Sequence, residues 1–238
     1  MSTPEALAVP RPVPQTGERL LEILTDRKAR NVLDIGCGHG ALSRSLAAKG
    51  FAMTGIDPDE DAVAAARKAV PDARFEQATA EALPFADGSF DAAIFLNALH
   101  HVPEAVMRQA LAETRRVLTK GGALIVVEPL ARGTFFEVMR PVEDETEIRA
   151  AALRALDADI AGGHWHVVRH DTYDRLSDFA ALEEFIDYLV AVDPARETVA
   201  DERRGELDAL FKANATASEK GFRLIQPLTL YELHPAAG

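Results

Sequence analysis

Residues 31–40, with the sequence N-V-L-D-I-G-C-G-H-G, constrain the fold more than any other stretch of the chain. The apolar run 31–35 has the length of a buried parallel strand. Three alternating glycines then allow a tight turn in which backbone N–H groups approach a ligand with no Cβ between them. Residues 41–49 have the pattern of a helix, and the turn directs its N-terminus at whatever binds there. We therefore expect the ligand crevice of a doubly wound α/β domain.

Asp34 distinguishes between two kinds of ligand for this turn. Gly36, Gly38 and Ala41 satisfy the dinucleotide fingerprint G-x-G-x-x-G/A loosely. The carboxylate of Asp34, however, lies at the end of the strand, where it repels a pyrophosphate and suits a cation. The pattern D-x-G-x-G-x-G resembles motif I of the class I S-adenosylmethionine (SAM) methyltransferases. SAM carries an ammonium and a sulfonium and no phosphate, so its charge fits this strand end.

A second acid follows the next predicted strand, residues 51–56. Asp57, followed by Pro58, lies twenty-one residues beyond Gly36. An acid at this distance can accept hydrogen bonds from both ribose hydroxyls. NAD enzymes and methyltransferases share the spacing, so it predicts ribose contact without choosing between them. The alternative is that Asp57 or Asp59 only caps the helix predicted at 60–70.

Residues 79–91, with the sequence T-A-E-A-L-P-F-A-D-G-S-F-D, strengthen the resemblance. They look like the second cofactor segment of the methyltransferase type 11 group, which includes the ubiquinone and menaquinone C-methyltransferases. The resemblance implies that Thr79, Ala80 and Glu81 lie along the adenine. An aspartate commonly meets the exocyclic amine in that group. Thr79 stands at its position here, and either its hydroxyl or Glu81 could accept instead.

The segment after the fourth predicted strand (92–96) reads N-A-L-H-H-V, and family members carry a similar L-H-H-V. The resemblance implies that Asn97 or one histidine faces the methionine moiety or the acceptor. A histidine here could act as a base near neutral pH, or His101 could pack against the following helix, predicted at 104–118. The fifth strand, 123–127, lies in a segment that matches the family's later R-x-L-K-P-G-G strand. Glu128 ends it as an acceptor-site candidate or an ordinary cap.

Residues 130–195 depart from the family pattern and are expected to form an inserted lid. Helices are predicted at 143–160 and 177–190, with a histidine-rich segment at 164–173 between them. His164 and His166 are candidate substrate contacts. The spacing of His164, His166 and His170 with Asp171 raises the question of a metal site. No second ligand cluster is visible, so we predict none.

The remaining segments complete the predicted architecture. Residues 1–30 form an extended proline-containing arm followed by a cap helix from Thr16, and a charged helix spans 200–218. Alternating strands at 221–226 and 228–233 predict a closing antiparallel hairpin broken by Pro227. We therefore expect one domain, 1–238, with a Rossmann-like, seven-stranded class I methyltransferase sandwich in which six strands are parallel and one is reversed.

Composition excludes several classes of partner. The chain of 238 residues has a net charge of −12, which disfavours nucleic acid and anionic membranes. Its one cysteine excludes an intrachain disulfide and a cysteine-based metal site. No signal pattern and no apolar run of membrane-spanning length is present. We expect a cytoplasmic monomer or homodimer that is not an integral membrane protein.

The resulting hypothesis is in-line transfer of the SAM methyl group to a small-molecule acceptor, with S-adenosylhomocysteine (SAH) as the product. The predicted cofactor-binding residues are Asp34, Gly36, Cys37, Gly38, Gly40, Asp57, Pro58, Thr79, Ala80, Glu81 and Asn97. The candidate catalytic residues are His101, His164, His166 and Glu128. Two alternatives stay open. One is a SAM-binding protein without catalysis; the other is an NAD(P)-dependent oxidoreductase, against which Asp34 and the missing Tyr-x-x-x-Lys pair argue.

Overall fold

A computed structural model of the protein describes residues 16–236, so the predicted arm at 1–15 lies outside the described residues. The strands are β1 (Asn31–Ile35), β2 (Ala52–Asp57), β3 (Arg74–Gln77), β4 (Phe90–Leu96), β5 (Leu118–Pro129), β6 (Trp165–Phe179), β7 (Thr216–Ser218) and β8 (Gly221–Pro235). The helices are α1 (Thr16–Asp26), α2 (Ala41–Ala47), α3 (Glu60–Ala69), α4 (Met107–Val117), α5 (Thr134–Met139), α6 (Thr146–Ala161), α7 (Leu182–Val192), α8 (Arg196–Glu202) and α9 (Arg204–Asn214). Short 3₁₀ turns occupy Leu99–His101 and Glu104–Val106.

The strands form one mixed sheet in the order β3-β2-β1-β4-β5-β8-β6. Strands β1 to β5 are parallel, whereas β8 is antiparallel to both β5 and β6. Six of these seven strands therefore run in one direction and β8 runs in the other, which confirms the predicted fold class. The short strand β7 adds a further antiparallel pair with β8.

Helices cover both faces of the sheet, because successive strand residues point to opposite sides. Leu33 and Phe95 belong to the apolar cluster that contains residues of α4 and α6. Their neighbours in sequence, Val32 and Ile94, belong to the cluster that contains residues of α1 and α2. All four side chains are fully buried. The continuous apolar runs of these strands follow from burial on both faces.

The histidine-rich segment expected in a lid is instead part of the sheet. Residues 165–179 form β6, an edge strand that pairs with β8 along its whole length. The predicted helix at 177–190 begins later, because Ser177 still pairs with Leu224 in the sheet and α7 starts at Leu182. Only Trp165, Tyr173 and Phe179 of β6 are buried, because the strand lies at the edge of the sheet.

The C-terminal strands also differ from the prediction. The expected hairpin at 221–233 is one continuous strand, β8, in which Pro227 lies opposite Asp174 of β6. The missing N–H of Pro227 does not end the pairing, since its carbonyl oxygen accepts from Leu130 N at 2.9 Å. The predicted helix 200–218 is divided into α8, α9 and β7, and β7 forms the actual hairpin with β8.

A third apolar cluster lies apart from the two that cover the sheet. It joins α5, α7, α8 and α9 with the ends of β6 and β8 through Phe135, Phe136, Val138, Met139, Phe179, Leu182, Phe185, Ile186, Leu189, Ala200, Leu207, Phe211 and Leu224. Helix α6 is not part of it, because its buried residues pack against the sheet. The region 130–195 is thus divided between the main core and this third cluster. None of the helices described combines the length and the apolar character that crossing a bilayer requires.

Candidate functional site

A cleft of about 460 Å³ lies at the carboxyl ends of β1, β2 and β4. In a doubly wound sheet, these strand ends form the crevice in which ligands bind. Eight of the residues singled out from the sequence line the cleft: Gly36, Asp57, Pro58, Thr79, Ala80, Glu81, Asn97 and His101. The parallel topology therefore brings together motifs that are up to sixty-five residues apart in sequence.

The glycine loop leaves no room for side chains at two of its positions. Gly36 has a φ of +74°, and a Cβ on it would lie 2.7 Å from the Cβ of Ala98. Gly40, at the N-cap of α2, has a φ of +79°, and its Cβ would lie 3.0 Å from that of Ala66. Both positions thus require glycine for two reasons. The backbone is left-handed, a conformation that glycine adopts without strain, and a neighbouring residue lies too close for a Cβ.

Asp57 connects the glycine loop to the end of β2. Its Oδ2 accepts from the backbone N–H of Gly38 at 2.8 Å, and its Oδ1 accepts from Asp59 N at 3.0 Å. The helix cap is a different residue: Asp59 accepts from Asp61 N and Ala62 N at the start of α3. The half-buried Asp57 carboxylate therefore lies on the wall of the cleft, free of the capping role that the sequence left open.

Asp34 and Cys37 were predicted cofactor contacts, yet their side chains are not among those that line the cleft. Asp34 is buried, and its Oδ2 accepts from the hydroxyl of Ser43 on α2 at 2.7 Å. Burial raises the pKa of Asp34 to about 6. The thiol of Cys37 packs beneath α3 with Val63 and Phe75, and burial raises its pKa as well. Asp34 therefore orients the loop from behind, and only the backbone of Cys37 remains as a candidate contact.

Arg116 holds the segment 79–91 in place, a role that the sequence did not reveal. Its guanidinium donates to the carbonyl oxygens of Leu83 and Phe85 at 3.1 and 2.7 Å. It also pairs with Glu113 and Asp87. Arg116 therefore anchors the loop that carries Thr79, Ala80 and Glu81 to the cleft.

Asn97 combines two unusual features at the end of β4. Its φ of +51° is uncommon for a residue other than glycine. Its amide oxygen is buried without a hydrogen-bond partner within residues 16–236. Strained backbone and unpaired polar atoms cost free energy, so they point to a site where a ligand supplies the missing partner.

A second cavity of about 140 Å³ meets the cleft at Asn97 and His101, which line both. Its walls come from residues of α5, α6, α7, β6 and β8 together with Arg196, at the start of α8. Burial and the neighbouring His100 lower the pKa of His101, so its imidazole is mostly neutral at pH 7. His101 is therefore a candidate proton acceptor at the junction of the two spaces.

Glu128 is not exposed to either space, contrary to the role considered for it at the acceptor site. Its side chain is fully buried. One carboxylate oxygen accepts from the backbone N–H groups of Ala98 and Leu99 at 3.1 and 2.8 Å, and the other contacts Nδ1 of His100. Glu128 thus fixes the 3₁₀ turn that presents His101, which is the capping alternative.

His164 and His166 lie at the opposite end of the sheet from the cleft. They fall at the start of β6, where Trp165 pairs with Pro235, whereas the cleft lies at the carboxyl ends of the parallel strands. Nδ1 of His164 is 2.8 Å from Asp159, and His166 is exposed on the edge strand. The sequence clustered these histidines, but the strand direction separates them from the site. Neither histidine lines the cleft or the second cavity.

Buried ion pairs organise the second cavity. Arg149 Nε donates to Glu145 at 2.8 Å, and Arg196 donates to Glu143 at 2.7 Å and to Glu145 at 3.4 Å. Burial lowers the pKa of Arg149, while Glu145 opposes the shift. Sequence reasoning missed this network because Arg196 lies about fifty residues from its partners. The only local signal was the i, i+4 spacing of Glu145 and Arg149.

One group of potential metal ligands occurs among the described residues, formed by His100, His101 and Glu145 within 4.8 Å of one another. Nδ1 of His100 is already engaged by Glu128, and Nε2 lies 4.0 Å from Glu145. Two guanidinium groups already neutralise Glu145. The donor set therefore fits a hydrogen-bonded ion-pair network better than a site for a divalent cation.

Comparison with known proteins agrees with this geometry. A family model described as a methyltransferase domain matches residues 32–122. An uncharacterized methyltransferase of Synechocystis is 35% identical over 108 residues, covering 45% of this chain and 51% of the relative. The demethylmenaquinone methyltransferase of Beutenbergia cavernae is 39% identical over 108 residues, covering 45% of this chain and 44% of the relative. The chain thus spans about half the length of the curated relatives that it matches.

The similarity of the fold extends further than the similarity of the sequence. A crystal structure of a candidate methyltransferase from Bacillus halodurans superposes with a TM-score of 0.64 at 20% identity. The superposition covers 94% of this chain and all of the other. At this identity the likeness shows the fold. Residues 32–122 therefore match the methyltransferase domain model, and the chain has the Rossmann-like fold of this methyltransferase structure.

Proposed function

We propose that the protein transfers the methyl group of SAM to a small-molecule acceptor. The observation that carries the proposal is the junction at Asn97 and His101, where a cleft built from the glycine loop and Asp57 meets a second cavity. Two connected spaces suit a reaction between a nucleotide-like cofactor and a separate acceptor. The 140 Å³ of the second cavity favours a small molecule over a macromolecule.

The cleft offers a partner for each part of the cofactor. The Asp57 carboxylate would accept from the ribose hydroxyls, and the hydroxyl of Thr79 would accept from the adenine amine. The unpaired amide oxygen of Asn97 would accept from the ammonium group. The loop at Gly36 and Gly38 would let the backbone approach without side chains. When bound, SAM supplies a methyl group that its sulfonium already activates.

The residues at the junction would then align and deprotonate the acceptor. The buried turn held by Glu128 fixes the backbone at Ala98 and Leu99, and so fixes His101 next to them. The neutral imidazole of His101 would accept a proton from an acceptor hydroxyl or amine at neutral pH. Alignment of the two reactants and exclusion of water would supply the remaining acceleration.

Replacement of Asp57 tests the cofactor site, and Asp59 offers a matched control two residues away. We expect Asp57→Ala to weaken SAH binding at least about tenfold, because the ribose loses its acceptor. Asp59→Ala removes a helix cap outside the cleft, so it should lower the free energy of unfolding by about 1 kcal/mol and leave SAH affinity unchanged. Calorimetric titration of both variants gives the answer. Equal SAH affinity in Asp57→Ala and the wild type would refute the ribose assignment.

A further inference from the structure

Arg175 differs from the other two arginines of the second cavity. Arg149 and Arg196 are engaged by Glu145 and Glu143. Arg175 has no carboxylate within ion-pair distance in the part of the chain that the structure describes, and its Nε is buried without a hydrogen-bond partner. Its guanidinium lies 5.2 Å from the ring centroid of Phe135. A half-buried guanidinium that rests on an aromatic ring and lacks an anion is a binding group without its ligand.

The backbone fixes Arg175 at the correct end of the sheet for this role. In β6 it lies opposite Gln226 of β8, three residues beyond the pair of Thr172 and Thr229. Gln226 is buried and donates to the carbonyl oxygen of Leu130 at 2.8 Å. The strand therefore places Arg175 beside the segment that follows β5, where the cleft and the second cavity open. Arg175 lines the second cavity and not the cleft.

One wall of the second cavity is apolar. Phe135 and Met139 of α5 face Leu189 and Tyr188 of α7. Tyr188 is 41% exposed and Val192, one helical turn further, is 57% exposed, so the apolar surface continues from the cavity to its rim. Large exposed apolar side chains next to a cavity favour a ligand with an apolar body.

Among the described residues that line the cavity, Arg175 is the one cation left for an incoming anion. The carboxylate of Glu145 accepts from both Arg149 and Arg196, and the carboxylate of Glu143 also accepts from Arg196. Glu128 is occupied by the 3₁₀ turn and His100. Asp178, further along β6, is paired with Arg223 at 2.8 and 2.9 Å. An acceptor carboxylate would thus meet a free fork of donors at Arg175, the geometry that this group binds best.

We propose that the second cavity binds a small carboxylic acid with an apolar body, and that Arg175 binds its carboxylate. The inference rests on the proposed function, because it defines the class of methyl acceptor for the same site. The carboxylate is held by a residue that does not line the cleft, whereas Asn97 and His101 line both spaces. The atom that receives the methyl group is therefore a second nucleophile of the acceptor and not the carboxylate itself.

Calorimetric titration with paired probes tests this inference. The probes are benzoate, 2-naphthoate and octanoate, each compared with its own uncharged amide, with phenyl phosphate as a further anion. We expect at least one acid to bind about tenfold or more tightly than its amide. The preference should fall to threefold or less in Arg175→Met and be retained in part in Arg175→Lys, which keeps the charge but not the fork. Arg108→Met, a surface control on α4 with the same change in charge, should keep the full preference.

Three outcomes would overturn the inference. The first is that no acid is preferred over its amide, and the second is a preference that survives in Arg175→Met or is lost equally in Arg108→Met. The third is tighter binding of phenyl phosphate than of benzoate, which would assign the cavity to phosphate esters. Titrations of SAH-loaded and of unloaded protein separate this test from the proposed function. Failure to bind SAH would refute the cofactor assignment, while the acid-against-amide comparison could still be measured.

Discussion

The two halves of the binding region are built in different ways. The proposed cofactor half, residues 31–103, forms its wall from short loops at strand ends, which include the small residues Gly36, Ala80 and Ala98. The acceptor half draws side chains from α5 to α8, β6 and β8, and buried ion pairs hold these elements together. Short sequence motifs at the strand ends form the first half. Contacts between segments that are distant in sequence form the second. The two sites therefore depend on separate sets of contacts, so a change in one need not alter the other.

Of the changes that should affect one half and spare the other, we expect the largest effect on stability from replacing Glu145. Glu145→Gln leaves Arg149 and Arg196 buried with less compensation, so we expect the free energy of unfolding to fall by about 3–5 kcal/mol. SAH affinity of the variant that remains folded should stay within about threefold of the wild type, since the cofactor half does not use this network. Thermal unfolding and calorimetry measure the two quantities.

Glu143→Gln is the matched control for that change. The side chain of Glu143 is 37% exposed, and its one ion-pair partner among the described residues is Arg196, so its loss should lower the free energy of unfolding by about 1 kcal/mol or less. Equal destabilisation by the two variants would contradict the inference that Glu145 stabilises the two buried arginines more than Glu143 does. A drop in SAH affinity that parallels the loss of stability would mean that the halves are not independent.

In the cofactor half, the charge of Asp34 is expected to lower the stability of the fold, whereas the charge of Glu145 raises it. Its folded pKa of about 6 lies above the ordinary value of 3.8, so the folded protein holds this proton more tightly than the unfolded chain. The penalty of the buried carboxylate is absent below pH 3.8, grows between these two values and is complete above about pH 6. Asp34→Asn should therefore raise the free energy of unfolding by about 1–3 kcal/mol at pH 8 and by less at pH 5.

Chemical denaturation at the two pH values measures this difference. The same substitution at Asp34 should weaken SAM binding, because the carboxylate orients the loop through Ser43. A stabilisation by Asp34→Asn that is as large at pH 5 as at pH 8 would contradict the raised pKa.

His101 lies where the halves meet, and its replacement should affect turnover alone. We expect His101→Gln to lower methyl transfer about a hundredfold, with SAH affinity unchanged. Because the pKa of His101 is lowered, the wild type should keep constant activity above pH 7 and lose it as the pH falls below 6.5, where the imidazole gains a proton. The activity of His101→Gln should not show this fall at low pH.

Formation of SAH from SAM with the hydroxybenzoates, which combine a carboxylate with an acceptor hydroxyl, measures the effect at His101. His164→Gln is the control, since His164 lies at the far end of β6. Unchanged turnover in His101→Gln would show that the acceptor needs no base at this position.

The comparison also explains what could be predicted from the sequence. Asp57, Thr79 and Asn97 lie in one cleft because each is at or just after the end of a strand, and the carboxyl ends of parallel strands converge. The residues around His166 are typical of a binding or catalytic segment, so the sequence suggested the wrong location for it. The direction of β6 determines that location, and this direction depends on pairing with a strand sixty residues later. Arg175 and Arg196 carried no local signal at all. Their roles arise only when α5, α7 and β8 pack together.

The most direct test of the central claim is a calorimetric titration of the wild-type protein with SAM, SAH and NAD. The glycine loop, the Asp57 carboxylate and the unpaired amide oxygen of Asn97 predict micromolar binding of SAM and SAH and no binding of NAD, because the Gly38 N–H that a pyrophosphate would use is already bonded to Asp57. Binding of NAD without binding of SAH would contradict the account and restore the oxidoreductase alternative.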